Sequence, residues 1–117
     1  MSAGTPPGGV RQVDVQQAAR LAGDGSAVLL DVREDDEWAA GHAPGAVHLP
    51  LNSVRPAAVP AGSSVLAICR SGNRSGKAAA ALAAAGVDVR NVAGGMKAWQ
   101  AAGLPVRTGD GRPGTVA

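Results

Sequence analysis

Three short runs rich in branched aliphatic residues constrain this chain more than anything else: Ala27–Leu30, Val65–Ile68 and Val87–Val92. Each is too short for a buried helix, and turn residues such as Gly23-Asp24-Gly25-Ser26 bound them, so each reads as a strand. The first two are continuously apolar, the pattern of strands covered on both faces. Helical signals fall between and around them. Asp14 is a suitable N-cap with Gln17 three residues on, and Val15, Ala18, Ala19 and Ala22 share one helical face. Glu34–Trp38 reads as a short helix whose acidic first turn suits the helix dipole. Ser75–Ala85 is an alanine-rich helix ended by Gly86. Met96–Ala102 is a last helix, stopped by Gly103-Leu104-Pro105. Strands alternating with helices predict an α/β fold with a mostly parallel sheet.

The 117 residues suffice for one domain. Residues 1–9 and 107–117 are rich in Gly and Pro without hydrophobic period, so they read as disordered tails around a domain over residues 10–106. The core has to be built without Phe or Tyr; Trp38 and Trp99 are the aromatic bulk, and Ala, Val and Leu do the rest. Elements must therefore approach closely to bury enough surface. Trp38 and Trp99 are read as core residues, with the pocket edge as an alternative for Trp38. Two Trp residues this far apart make no stacking platform for single-stranded nucleic acid. The net charge of +2 is scattered, with Arg70, Arg74 and Lys77 the one tight basic group, so no nucleic-acid partner is expected. No apolar stretch reaches the roughly 18 residues of a membrane span. Residues 1–9 lack the basic and apolar regions of a secretory signal, so no membrane partner and a cytoplasmic location are expected.

Cys69 is the single cysteine, so it forms no internal disulfide and no cysteine-rich zinc site. It stands after a strand and before a helix, where open α/β sheets place their ligands. Arg70, Ser71, Gly72, Asn73, Arg74 and Ser75 follow it, a run of small and polar residues. Gly72 and Asn73 tolerate unusual backbone angles, so this loop can curl its amides inward, and the next helix adds its free N–H groups. A thiol there, with Arg70 and Arg74 close by, is expected to be more acidic than a free one. The alternative is a structural thiol that merely ends a strand, but such a residue does not require a polar run with two arginines after it.

The stretch Cys69 to Ser75 resembles the active loop of single-domain rhodanese-like sulfurtransferases. Asp31-Val32-Arg33-Glu34 through Trp38, then Gly41-His42-Ala43-Pro44-Gly45-Ala46, is similar to that family's upstream signature. Asn91 through Trp99 and Gly103-Leu104-Pro105 resemble its C-terminal one. The resemblance runs in register over residues 11–106. It implies a small parallel sheet flanked by helices on both faces. It also implies Cys69 as the nucleophile that takes the outer sulfur of thiosulfate or another small anionic persulfide donor. The sulfur then passes to cyanide or to a thiol acceptor, a small redox protein among the candidates. Arg70, Ser71, Gly72, Asn73, Arg74 and Ser75 would bind the persulfide, and no metal or organic cofactor is implied.

Two other readings accompany this one. A rhodanese-like module without turnover would bind or regulate partners, but its usual mark, a replaced cysteine, is absent. Related phosphatases resemble His-Cys with five residues before Arg; here Ile68 precedes Cys69 and four residues separate it from Arg74. Asp31 and Arg33 are supporting residues, either an ion-pair brace or a direct part of the site. His42 reads as a structural hydrogen-bonder in a Gly-His-x-Pro-Gly turn, and His48 receives no role. Gly94-Gly95 is either a close approach to the site or an ordinary turn.

Overall fold

The computed structural model of the chain describes residues 10–60 and 62–117. The expected N-terminal tail, residues 1–9, lies outside the described residues. Strand β1 (Arg11–Val13) leads into helix α1 (Val15–Gly23), then β2 (Val28–Asp31), α2 (Asp35–Ala40) and β3 (Val47–His48). Two short 3-10 turns, Leu51–Ser53 and Pro56–Ala58, precede β4 (Val65–Ile68). Helix α3 (Asn73–Ala84), β5 (Val89–Val92) and α4 (Gly95–Ala101) complete the order. The five strands form one sheet in the order β1-β5-β4-β2-β3, and all four pairings are parallel. The α/β expectation holds.

Local chemistry explains the helix starts. The Asp14 carboxylate accepts from the Gln17 amide at 2.8 Å and caps α1. Glu34 and Glu37 form a reciprocal capping box on α2. Helix α2 starts one residue later than the sequence indicates and runs two residues further, to Ala40. Helix α3 starts two residues earlier, inside the polar loop, because Gly72 adopts the left-handed conformation that precedes it (φ 106°).

Two cores sandwich the sheet. In β4, Val65 and Ala67 face α3, whereas Leu66 and Ile68 face α1 and α4. Cys69 continues the period-2 pattern and belongs to the α3 side with Leu30, Val32, Ala78, Ala79 and Leu82. The other core gathers Val13, Ala18, Leu29, Val92, Met96 and Trp99. Ala78 and Ala79 let α3 lie close to the strands, the packing expected of a core without Phe or Tyr. Trp99 is buried, with its indole N–H donating to the Pro105 carbonyl at 2.8 Å. Trp38 is different: it lies half-buried outside both cores, its indole parallel to the His42 and His48 rings at centroid distances of 3.5 and 4.8 Å.

The expectation of a loose end at residues 107–117 needs correction. Arg107 pairs antiparallel with His42 and with Pro113, and the Thr115 amide donates to the Ala40 carbonyl at 3.0 Å. Val116 packs against the α1–α4 core. Backbone pairing to a neighbouring segment, which hydrophobic period does not register, holds this end in place.

Candidate active site

The candidate site is the turn between β4 and α3. Cys69 is only 1% exposed, because its side chain points under the N-terminus of α3. Its sulfur receives the Gly72 amide at 3.1 Å and lies 3.3 Å from the Ser75 hydroxyl. Burial pushes the thiol pKa up. The Ser75 hydroxyl, then the amides of Ser75, Gly72 and Ser71, pull it down and outweigh burial, so the thiol lies below its ordinary value. The structure thus brings Cys69, Ser71, Gly72 and Ser75 together around one atom.

Two other elements fix the loop. The first amides of α4 have no partner within their own helix. Those of Met96 and Lys97 donate instead to the carbonyls of Cys69 (2.8 Å) and Arg70 (3.0 Å). That contact requires glycine at residue 95: a Cβ there would lie 2.4 Å from the Cys69 oxygen and 2.6 Å from that of Arg70. Gly94-Gly95 is therefore the close approach, the first of the two alternatives. From the sheet, β5 adds Asn91, buried at 5% exposure and missed by the sequence reading as a site residue. Asn91 pairs in register with Ala67 and Gln12, which aims it along the same face as Cys69. It accepts from the Ser75 hydroxyl at 2.6 Å and donates to the Gly72 carbonyl at 3.2 Å. One signal was available: a carboxamide inside the strand Val89-Arg90-Asn91-Val92.

The arginines are placed less simply. Both terminal nitrogens of Arg74 bond the Glu37 carboxylate, at 2.6 and 2.8 Å. That bidentate pair, working against burial, holds the Glu37 carboxyl down at about 2 and raises Arg74 further above its already high value. Arg70 is exposed, and its Nε donates to the Ala117 carbonyl at 2.9 Å. Asn73 is exposed at the start of α3. Asp31 and Arg33 form a fully buried pair at 2.7 Å, and Arg33 also donates to the Gly41 carbonyl at 2.8 Å. They brace the end of β2 against the Gly41–His42 turn. Neither histidine reaches the sulfur by hydrogen bond: His42 bonds the Trp38 carbonyl and His48 that of Arg33, each at 2.8 Å.

Once ionised, a sulfur ringed by amides can attack a sulfur atom that carries a good leaving group, without a general base. Among the described residues, no helix is long and apolar enough to cross a membrane.

The chain is similar to known proteins over most of its length. The model of the rhodanese-like domain family matches residues 14–102. Over 106 residues the chain is 38% identical to a thiosulfate sulfurtransferase GlpE of Pseudomonas putida, covering 86% of this chain and 94% of that protein. A protein of Synechocystis sp., named only as uncharacterised, is 41% identical over 81 residues; the match covers 67% of this chain and 45% of that longer protein. The crystal structure of a rhodanese-related protein from Thermoplasma volcanium superposes with a TM-score of 0.76 at 26% identity, covering 82% of this chain and 96% of that one.

Proposed function

The chain belongs to the rhodanese-like domain family, and from that premise we propose that it is a sulfurtransferase working through a persulfide on Cys69. The Cys69 thiolate attacks the outer sulfur of thiosulfate, forming a new S–S bond. The bond between the two thiosulfate sulfurs breaks, and its electron pair leaves with sulfite. An acceptor thiolate or cyanide then attacks the outer persulfide sulfur and returns Cys69 as thiolate. A small persulfide donor enters the same scheme with a thiolate as leaving group. The amides of Ser71, Gly72 and Ser75 hold the developing negative charge, as in an oxyanion hole.

The single observation that carries this reading is the buried sulfur with the Gly72 amide at 3.1 Å, its thiol held below the ordinary range. The spacing agrees: four residues between Cys69 and Arg74 make a ring sized for sulfur rather than for a phosphoryl group. Exposed Arg70 favours an anionic donor, while Arg74, Asp31 and Arg33 act as braces. Asn73 starts the helix whose first turn carries Ser75. The chemistry requires no metal or organic cofactor. A free thiol suits a reducing cytoplasm, and the acceptor is a thiol, a small redox protein among the candidates.

The test is mass spectrometry after incubation with thiosulfate. Wild type should gain the mass of one sulfur, removable by dithiothreitol, and Cys69→Ser, a small change, should fold normally and gain none. Persulfide on Cys69→Ser, or none on wild type, overturns the reading.

A further inference from the structure

Ser75 carries one hydroxyl hydrogen and has two acceptors within reach, Asn91 Oδ1 at 2.6 Å and Cys69 Sγ at 3.3 Å. It cannot satisfy both at once. The orientation of Asn91 is fixed, because its nitrogen donates to the Gly72 carbonyl at 3.2 Å and to Gln12 Oε1 at 3.0 Å. A carbonyl only accepts, so the amide oxygen must face Ser75. Ser75 and Asn91 are both buried, so the hydroxyl chooses between these two acceptors.

With the sulfur protonated, the shorter contact wins. Ser75 donates to Asn91, and the S–H donates to the Ser75 oxygen. With the sulfur ionised, the charged acceptor forms the stronger bond. The hydroxyl then turns to sulfur and leaves the Asn91 oxygen buried without its donor. We propose that Asn91 is the positioning residue of the nucleophile, competing with Cys69 for the Ser75 hydroxyl so that this donor serves the sulfur only when it is anionic. The inference rests on Cys69 being the nucleophile. Once Sγ is bonded to the transferred sulfur it no longer carries the charge, and the hydroxyl returns to Asn91. Asn91 never touches the reacting sulfur by hydrogen bond; it acts through Ser75.

The charged groups near the sulfur stand elsewhere. Arg74 is tied to Glu37 of α2, Asp31 to Arg33 at the end of β2, and Arg70 to the Ala117 carbonyl. Lys77 of α3 and Lys97 of α4 are exposed. The substitutions below alter none of them.

The test reads the pH dependence of Cys69 alkylation by iodoacetamide, which needs no sulfur donor. Asn91→Ala releases the hydroxyl, so the midpoint should move to lower pH, with alkylation about fivefold faster below it. Asn91→Asp holds the hydroxyl harder and adds negative charge, so its midpoint should rise. In a Ser75→Ala background, Asn91→Ala should shift nothing, whereas Ser75→Thr, which keeps the hydroxyl, should restore the response. A loosened loop would instead raise both midpoints. Shifts of one sign, no shift, or an Asn91→Ala shift that persists in Ser75→Ala would overturn the proposal. Should Asn91→Ala not fold, the isosteric Asn91→Asp decides: a rise reduced by Ser75→Ala supports it, and an equal rise in both backgrounds overturns it. Failure of the persulfide reading would appear separately, as wild type that alkylates normally yet takes no sulfur from thiosulfate.

Discussion

The two flanks of the Cys69 loop are held by different forces. On the β5–α4 side every contact is neutral: the Asn91 carboxamide on the Gly72 carbonyl, and the Met96 and Lys97 amides on the carbonyls of Cys69 and Arg70. On the α2 side the contact is charged, Arg74 with Glu37, and the Arg33–Asp31 pair lies behind it at the end of β2. Neutral hydrogen bonds at close packing fix where the sulfur sits, and they do not titrate. The Arg74–Glu37 ion pair puts charge next to the loop that can be edited one group at a time. Position and local hydrogen bonding are governed from the neutral flank, and the charge near the loop from the other.

The strongest way to break this division is Gly95→Ala. The new Cβ overlaps the carbonyls of Cys69 and Arg70, at a backbone φ of 60° that L side chains rarely adopt. The loop or α4 must shift, and a displacement near 1 Å costs on the order of 100-fold in rate. Stability should fall by about 1–3 kcal/mol. Thiosulfate:cyanide assays with thermal unfolding check both effects. Full activity in a folded variant would mean that α4 does not position the sulfur.

Glu37→Gln is expected to act more gently and on the other quantity. It leaves Arg74 unpaired, so net positive charge near the sulfur rises and the thiol midpoint should move to lower pH. This partly exposed pair contributes to folding by about 1 kcal/mol at most. The Glu37 carboxyl is held down from 4.5 to about 2, so its stabilising contribution is complete above its unfolded value and is lost as pH falls through about 2. An acid limb of wild-type activity at higher pH therefore reports Cys69, and it should persist in Glu37→Gln, displaced toward acid. A limb that disappears would show that Glu37, not the thiol, was titrating.

Arg70→Ala should have the smallest effect. The side chain is exposed and tied by a single hydrogen bond to Ala117. KM for thiosulfate should rise by about fivefold at most, with kcat little changed. A fall in kcat would show that Arg70 belongs to the chemistry rather than to donor capture.

What the sequence disclosed, and what it withheld, follows the range of the interactions involved. The strands Val28–Asp31 and Val65–Ile68 and the placement of Cys69 were legible, because local apolar runs and turn residues encode them. β1 and β3, of three and two residues, were not: they are too short for a period and exist only because a neighbouring strand pairs with them. Asn91 gave only the signal of a carboxamide inside a strand, since its partners Ser75 and Gln12 are 16 and 79 residues away in the chain. The Arg74–Glu37 pair spans 37 residues, so neither residue announces the other. The docked end at residues 107–117 escaped for a similar reason, its hydrogen bonds running to Ala40 and His42.

The lack of Phe and Tyr has an optical consequence. With no tyrosine to transfer energy, all ultraviolet emission comes from Trp38 and Trp99. Trp99 is buried and hydrogen-bonded, a steady background. Trp38 lies flat against the His42 imidazole at 3.5 Å, close enough for electron transfer to quench its excited state. It also sits next in sequence to Glu37, which holds Arg74 of the Cys69 loop. Any motion that separates α2 from the His42 turn would brighten the protein, so movement at this corner can be followed by its own light, without a dye.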